Sequence, residues 1–294
     1  MDLGRTGVWT FQLDLVPSAR ARELAAELEA LGYGAIWLPE AVGRDALVAS
    51  TLALGATARV TVATGVVPVT SRTAMTTNAA WRTIEEAFPG RFVLGLGVSH
   101  RPAVEGLHGA GYGRPLETMR AYLDRMDASL FLAHGPATTP ARVLAALGPR
   151  MLALAAERTD GALTYNVPPE HTHAARGVLG DAGVLAVEQK VVLGADADTA
   201  RRVARAALQV YTELPNYVNN WRRLGFTDDD FTNGASDRLV DALVVWGDED
   251  AVRARVQAHL DAGADHVCVQ ALSPEGVTGL PLDAWRRLAP ALTA

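Results

Sequence analysis

A carboxylate and an imidazole stand at the tips of two apolar runs in this chain, and such a pair can exchange protons with a ligand. Glu40 closes Ala35-Ile36-Trp37-Leu38-Pro39, and His100 follows Ser99 after an apolar run over residues 91–98. Histidine is the side chain whose ordinary pKa, about 6.5, allows donation and acceptance near neutrality, so His100 is the first candidate acid/base and Glu40 the second. Either residue could instead cap the loop that follows it. Between them, Thr64-Gly65-Val66 ends a β-branched run. A strand-end glycine usually marks a bulge or turn, but it also lets backbone approach a flat ligand closely. Ala146-Leu147-Gly148-Pro149-Arg150 reads as a strand end entering a helix, with proline at the first helical position. The free N–H groups of that first turn attract anions and Arg150 adds charge, although ordinary capping explains the Gly-Pro pair alone.

Several aromatic and polar residues surround these candidates. Trp9 and Tyr217 suit stacking on a ring, whereas Trp37 reads as core. Asn78, Tyr165 and the segment from Asn216 to Trp221 are candidates to shape a substrate pocket. His171 and His173 form a His-x-His with no third ligand in view, which favours a solvated helix start over a metal site.

The elements that must position these residues alternate regularly. Strands are expected over residues 8–12, 35–38, 60–67, 91–100, 142–147, 160–166, 188–193 and 264–270, as β-branched or apolar runs bounded by glycine and proline. Helices are expected over 18–31, 45–57, 73–87 and 116–132, with another opening at Gly148. Eight strands alternating with helices in one chain predict a single (β/α)₈ barrel domain over residues 1–294. The excess length lies between strands seven and eight, where residues 200–214 and 240–262 read as helices joined by a polar-aromatic segment from Pro215 to Trp221. Parallel barrels place chemistry at the carboxyl ends of their strands, which is where Glu40, Gly65 and His100 fall.

Composition narrows the chemistry. The 294 residues carry a net charge of −6 with no basic run, which argues against nucleic acid and for a small-molecule substrate. Cys268 is the single cysteine, so an internal disulfide and a zinc ribbon are excluded and a buried thiol in a reducing compartment is expected. Neither a secretory signal pattern nor an apolar run long enough to span a bilayer is present, so a cytoplasmic protein without membrane association is expected. No GxGxxG or P-loop stands in a suitable context, and no Gly-x-Ser-x-Gly elbow occurs. No metal site is expected.

Six motifs taken in order resemble one family. Ala35-Ile36-Trp37-Leu38-Pro39-Glu40, Thr64-Gly65-Val66, Pro89-Gly90-Arg91-Phe92-Val93-Leu94-Gly95-Leu96-Gly97, Ala146-Leu147-Gly148-Pro149-Arg150-Met151, Asp160-Gly161 and Ala262-Gly263-Ala264-Asp265-His266-Val267 are similar to bacterial-luciferase-like monooxygenases. Within them the chain most resembles the branch that uses the deazaflavin coenzyme F420; close relatives use FMN. The resemblance implies a non-prolyl cis peptide at Gly65-Val66 backing the cofactor ring. It further implies Trp9, Glu40, Thr64, Gly97 and Ser99 near the cofactor, and its phosphate at Ala146, Leu147, Gly148, Pro149 and Arg150. A sugar-phosphate-oxidising relative has glutamate where His100 stands, so that substrate is not implied. The expected activity is hydride transfer between the deazaflavin and a small organic substrate, by a homodimer. The alternatives are an FMN-dependent two-component monooxygenase and a non-catalytic flavin- or deazaflavin-binding barrel.

Overall fold

Eight short apolar runs pair in parallel to close a barrel, as expected for strands covered on both faces. The computed structural model describes residues 1–232, 234–276 and 278–293. Strands β1 (Thr6–Trp9), β2 (Ala35–Leu38), β3 (Thr61–Thr64), β5 (Phe92–Gly97), β6 (Ala141–Ala145), β7 (Gly161–Thr164), β8 (Val184–Leu193) and β10 (His266–Ala271) follow one another round the barrel, and β10 closes on β1. The two-residue β4 (Val67–Pro68) continues β3 past Gly65-Val66 and pairs with β5. Helices α1 (Ser18–Ala30), α2 (Ala46–Leu54), α3 (Ala74–Ala87), α4 (Arg101–Gly106), α5 (Pro115–Asp127), α6 (Pro149–Arg158), α7 (Pro169–Leu179), α11 (Glu249–Asp261) and α12 (Leu282–Leu292) lie outside. The main core fills the space between strands and helices.

Several boundaries differ from the sequence reading for identifiable reasons. The first strand ends at Trp9 because Thr10 and Gln12 bond each other locally, and Gln12–Leu15 is a 3₁₀ turn. The run over residues 60–67 is interrupted at Gly65-Val66, whose peptide is cis, as the resemblance implied. The segment from Pro215, expected as a connection, is itself helix α9 (Pro215–Arg223), with proline at its start and Tyr217, Asn220 and Trp221 on its buried face. Residues 240–262 are not one helix either. Helix α10 (Asp237–Leu243) ends where the β-branched pair Val244-Val245 opens β9 (Val244–Gly247), which pairs with Lys190–Leu193 of β8. Since β10 already pairs residues 190 and 191 on one edge, β9 takes the other edge beyond β7. Together with α8 (Ala197–Leu208), these elements build a second core around Trp221, Leu239 and Val192.

Inside the barrel, the small residues Ala35, Ala63 and Ala186 leave room for Trp9 and Trp37. The Trp37 indole donates to His266 Nε2 at 3.0 Å, so the proton of that imidazole sits on Nδ1, which donates to the Gly4 carbonyl at 2.8 Å. Burial drives the His266 pKa down to about 4 and that of His259 to about 3, the latter aided by Arg255 and His171. Both imidazoles are therefore neutral in the fold and charge when the chain unfolds. Among the described residues, no helix is long and apolar enough to cross a membrane.

The unfolded chain binds more protons than the folded one below pH 6.5, so stability is full above that pH and falls as pH drops toward 4. The slope should approach about 1.4 kcal/mol per pH unit for each histidine. Urea midpoints taken between pH 7 and 4.5 check this; a flat profile would show that neither imidazole is held neutral.

Candidate active site at the barrel mouth

The ends of β3 and β5 approach each other so closely that side chains are excluded from three positions. A Cβ on Gly95 would stand 2.0 Å from the Thr64 carbonyl, one on Gly97 2.6 Å from Val66 Cγ2, and one on Gly65 2.7 Å from the Trp9 indole nitrogen. The Thr64 hydroxyl bridges the two strands, accepting from Gly95 N at 2.8 Å and donating to Gly95 O at 2.9 Å. Thr64, expected beside the cofactor, is thus committed to the sheet, since its one hydroxyl proton is already used. Trp9 Nε1 donates to the Gly65 carbonyl at 3.1 Å, which fixes the indole against the bulge.

Glu40 is also held. Its carboxylate accepts from the Ala46 amide at 3.0 Å, Ser71 Oγ at 3.0 Å and the Arg72 guanidinium at 2.9 Å, with the Arg72 and Glu40 side chains only 13% and 10% exposed. Arg72 also pairs with Asp45, the N-cap of α2, so one guanidinium ties three segments together. A carboxylate so occupied is an anchor before it is a proton carrier. His100 differs: half-buried at the start of α4, it hydrogen-bonds the Asn216 side chain, and its ring centre lies 5.6 Å from that of Tyr217. Burial lowers its pKa and the Asn216 bond opposes this in part. Ser99, immediately before it, adopts φ +58°, and its carbonyl accepts from Tyr112 at 3.5 Å.

An arc of aromatic rings crosses the mouth from His100 to Gly65. Tyr217 meets Tyr211 at 4.9 Å, Tyr211 meets Tyr165 at 5.6 Å with their hydroxyls 3.2 Å apart, and Tyr165 meets Trp9 at 5.2 Å. Beneath it lies Lys190, the only lysine of the chain, its Nζ 3.8 Å from the Tyr165 ring centre and 3.2 Å from Glu188. Desolvation pushes Lys190 down and Glu188 up, and their mutual attraction opposes both shifts. The Tyr165 hydroxyl donates to Gln270 at 2.9 Å. Lys190, Tyr211 and Gln270 escaped the sequence reading because they sit inside strands or in the long β8–β10 segment, without a local motif.

The start of α6 has no side-chain cap at Gly148, and Pro149 occupies its first turn. Ala146 is buried with its amide on Leu163, and the Leu147 carbonyl accepts from His171 Nε2 at 2.8 Å. His171 is therefore no solvated helix start: it is buried and holds the α6 entry, while His173 is exposed. Arg150 is exposed on the first turn. The guanidinium closest to Gly148 belongs instead to Arg223 of α9, 3.6 Å from where a Cβ would stand. Beside it are two buried polar atoms without partners among the described residues, His171 Nδ1 next to Leu147 and Asn220 Nδ2 next to Arg223, and the end of β7 and the residues after it add Thr164 Oγ1 and Asn166 Nδ2 and Oδ1. Burial lowers the His171 pKa, so with Nε2 donating, Nδ1 is an acceptor. The set mixes donors and acceptors, which suits hydroxyls and an anionic oxygen together.

Asn78 does not belong to the mouth. It is buried in α3 and lines a cleft of about 550 Å³ with Trp81, Arg82, Thr138, Thr139 and Arg142, on the side where the chain enters β6. Its helical position beside an apolar face carried no information about which end of the barrel it would serve. Among the described residues, no group of three or more His, Cys, Asp or Glu is placed to hold a metal ion.

The strand ends of this parallel barrel converge on an aromatic arc, a partly buried imidazole and an uncapped helix start, groups whose chemistry suits a ring-bearing, anionic ligand. Residues 5–266 match the luciferase-like monooxygenase model, and the chain belongs to that family. It is 28% identical to a Mycobacterium tuberculosis protein provisionally named a coenzyme F420-dependent oxidoreductase, over 95% of this chain and 98% of that one. Among solved structures it is similar to an F420-dependent secondary alcohol dehydrogenase in complex with an F420-acetone adduct (TM-score 0.77, 16% identity, 98% of both chains). It is also similar to a coenzyme F420-dependent tetrahydromethanopterin reductase from Methanopyrus kandleri (TM-score 0.78, 17% identity, 99% of both chains).

If Glu40 is an anchor, Glu40→Gln leaves the largely buried Arg72 charge poorly compensated and should lower unfolding free energy by about 1–3 kcal/mol. Urea denaturation measures this; an unchanged midpoint with lost turnover would restore Glu40 as a proton carrier.

Proposed function

We propose that the protein, acting as a single barrel domain, is an oxidoreductase that transfers a hydride between coenzyme F420 and a small organic substrate, with His100 exchanging the proton. The observation that carries this reading is the uncapped start of α6, faced by Arg223 and flanked by the buried His171 Nδ1 and Asn220 Nδ2, which lack partners among the described residues. A hydroxylated chain ending in a phosphate ester would satisfy them, and the helix start favours its charge. F420 and FMN share that chemistry. F420 is preferred because the Mycobacterium tuberculosis relative and two of the similar structures are named for it.

When bound, the coenzyme supplies hydride chemistry at C5 of its deazaflavin ring. The chain supplies placement. Val66, packed against Gly97, would back the ring and Trp9 would border it, while Asn216, Tyr217 and Tyr165 would wall the substrate side. His100, held neutral near pH 7 by burial, accepts the proton of a carbinol as hydride departs, and returns it in the reverse direction. Assembly as a cytoplasmic homodimer is part of the proposal. Its support is the exposed apolar pair Val48 and Leu52, one turn apart on α2, and the free buried thiol of Cys268.

Titrating the apoprotein with F420 and with FMN tests the cofactor: tight deazaflavin and weak FMN binding is expected, and the reverse order overturns it. Gly148→Asp should weaken deazaflavin binding by about 1 kcal/mol or more, roughly five-fold, by placing like charge at the phosphate.

His100→Ala should keep cofactor affinity within a few-fold while turnover falls by roughly 10²-fold or more. In the wild-type enzyme, alcohol oxidation should rise with pH on an acidic limb below about 6.5, since only the neutral imidazole accepts a proton. Persistence of that limb in His100→Ala would assign the proton to another group.

A further inference from the structure

Helix α9 touches both ends of the site. Asn216 and Tyr217 near its start contact His100, through a side-chain hydrogen bond and a ring separation of 5.6 Å. Its last turns carry Asn220 and Arg223 to the start of α6, where the Arg223 guanidinium donates to Asn220 Oδ1 at 3.1 Å. Residues 216, 220 and 223 are spaced one turn apart and share a face. Between the two ends Trp221 pins the helix, its indole donating to the Asn166 carbonyl at 3.0 Å and its ring 5.8 Å from Tyr217.

Two observations show that the Arg223 end is built for something outside the chain. Asn220 is 1% exposed, yet its Nδ2 has no acceptor among the described residues. Arg223 is exposed and among the described residues has no carboxylate partner, whereas Arg222 pairs with Asp228 and Arg238 with Asp230. A guanidinium and an amide donor converging on an uncapped helix start call for an anionic oxygen.

We propose that α9 couples the two ends: an anion bound at the start of α6 fixes the helix through Arg223, and the helix sets how Asn216 and Tyr217 hold His100. The chemistry is that of a phosphate ester, and the proposal rests on the reading of α6 as the phosphate site and His100 as the proton carrier. Arg223 is then a positioning residue for an imidazole it does not touch. Without the anion the helix is held by Trp221, the Arg222–Asp228 pair and the packing of Tyr217, and none of these engages Arg223 at the α6 end. The titratable and charged groups around His100 are Tyr217 and the more distant Tyr211, the Arg101–Glu105 pair of α4 at 2.7 Å, and Tyr112, over which Arg101 lies. None of them belongs to the α6 end, so a response of His100 to an anion there must cross α9 or pass through space.

The experiment uses the full-length apoprotein labelled at histidine Cε1, with inorganic phosphate as probe and potassium chloride holding ionic strength constant. Phosphate binding is followed by ³¹P line broadening, and His100 is identified by the resonance lost in His100→Gln. In the wild type, phosphate should bind saturably and shift the His100 titration midpoint by about half a pH unit or more, as the Asn216 contact that favours the charged imidazole changes. Arg223→Gln should lose both the binding and the shift, and Arg223→Lys should recover part of each. Asn216→Ala should bind phosphate normally and show no His100 shift. The proposal is overturned if phosphate does not bind, if it binds without moving His100, or if Asn216→Ala responds as the wild type does, because the signal would then travel through space. No cofactor or turnover enters the measurement: phosphate that binds without moving His100 overturns the coupling and leaves the coenzyme assignment standing, and failure of deazaflavin to bind leaves this result unaffected.

Discussion

The close approach of β3 and β5 is the constraint from which the site follows. Parallel strands stand about 4.8 Å apart, and at their carboxyl ends the Thr64 carbonyl comes so near Gly95 that no side chain could stand there. Thr64 bonds both backbone groups of Gly95, locking the register one residue before the bulge. The bulge then turns Val66 over Gly97 and the Gly65 carbonyl toward the Trp9 indole, while the Val66 carbonyl meets the Glu40 amide at 3.4 Å. Four neighbouring strands, β1, β2, β3 and β5, are thereby tied at one point. A larger residue at Gly65, Gly95 or Gly97 would not fill space; it would push apart the wall of the site.

Electrostatics divides the barrel into a neutral interior and a mouth with unsatisfied polar groups. Buried histidines 259 and 266 are held uncharged, and the one buried ammonium is paired with Glu188 under Tyr165. A lone ion would be untenable there. Glu40 and Arg72 neutralise each other nearer the surface. Beyond isolated atoms such as Ser50 Oγ and Trp285 Nε1, unpaired groups meet near Gly148, where a helix start and the exposed Arg223 guanidinium adjoin buried amide and imidazole atoms without partners among the described residues. Stability alone does not favour such a cluster, since each buried unpaired group costs free energy unless a ligand pairs with it.

What the sequence made legible were features with a local cause. The run over residues 35–38 matches β2 residue for residue because its apolar continuity is cut sharply by Gly34 and by Pro39-Glu40. Gly148-Pro149 placed the α6 entry because proline at the first helical position is chemically particular. Features with a distant cause were not legible. Strand β9 exists because β8 runs past β7 and leaves an edge to pair, which no window around Val244 reveals. The helix at Pro215 reads as a polar connection until Trp221 is given Asn166 as a partner. Asn78 and Arg223 show the same limit in opposite directions: one is plausible locally and stands outside the mouth, the other is unremarkable locally and stands beside the start of α6.

The two halves of the chain therefore contribute differently. Residues up to β6 build the glycine-lined wall and the Glu40–Arg72 anchor through contacts of short loops, which leave little freedom for change. The segment between β8 and β10 is long and has its own core of Trp221, Leu239 and Val192, and it supplies Tyr211, Tyr217, Asn216 and Arg223 from outside the barrel. That core is built on Val192 of β8 and Val244 of β9, on strands other than those of the Thr64–Gly95 contact, so residues on the inner face of α9 can change without touching that contact. A rigid wall for the shared ring chemistry and a separately packed cover for the substrate is the arrangement that allows one barrel to keep a cofactor and alter what reacts with it.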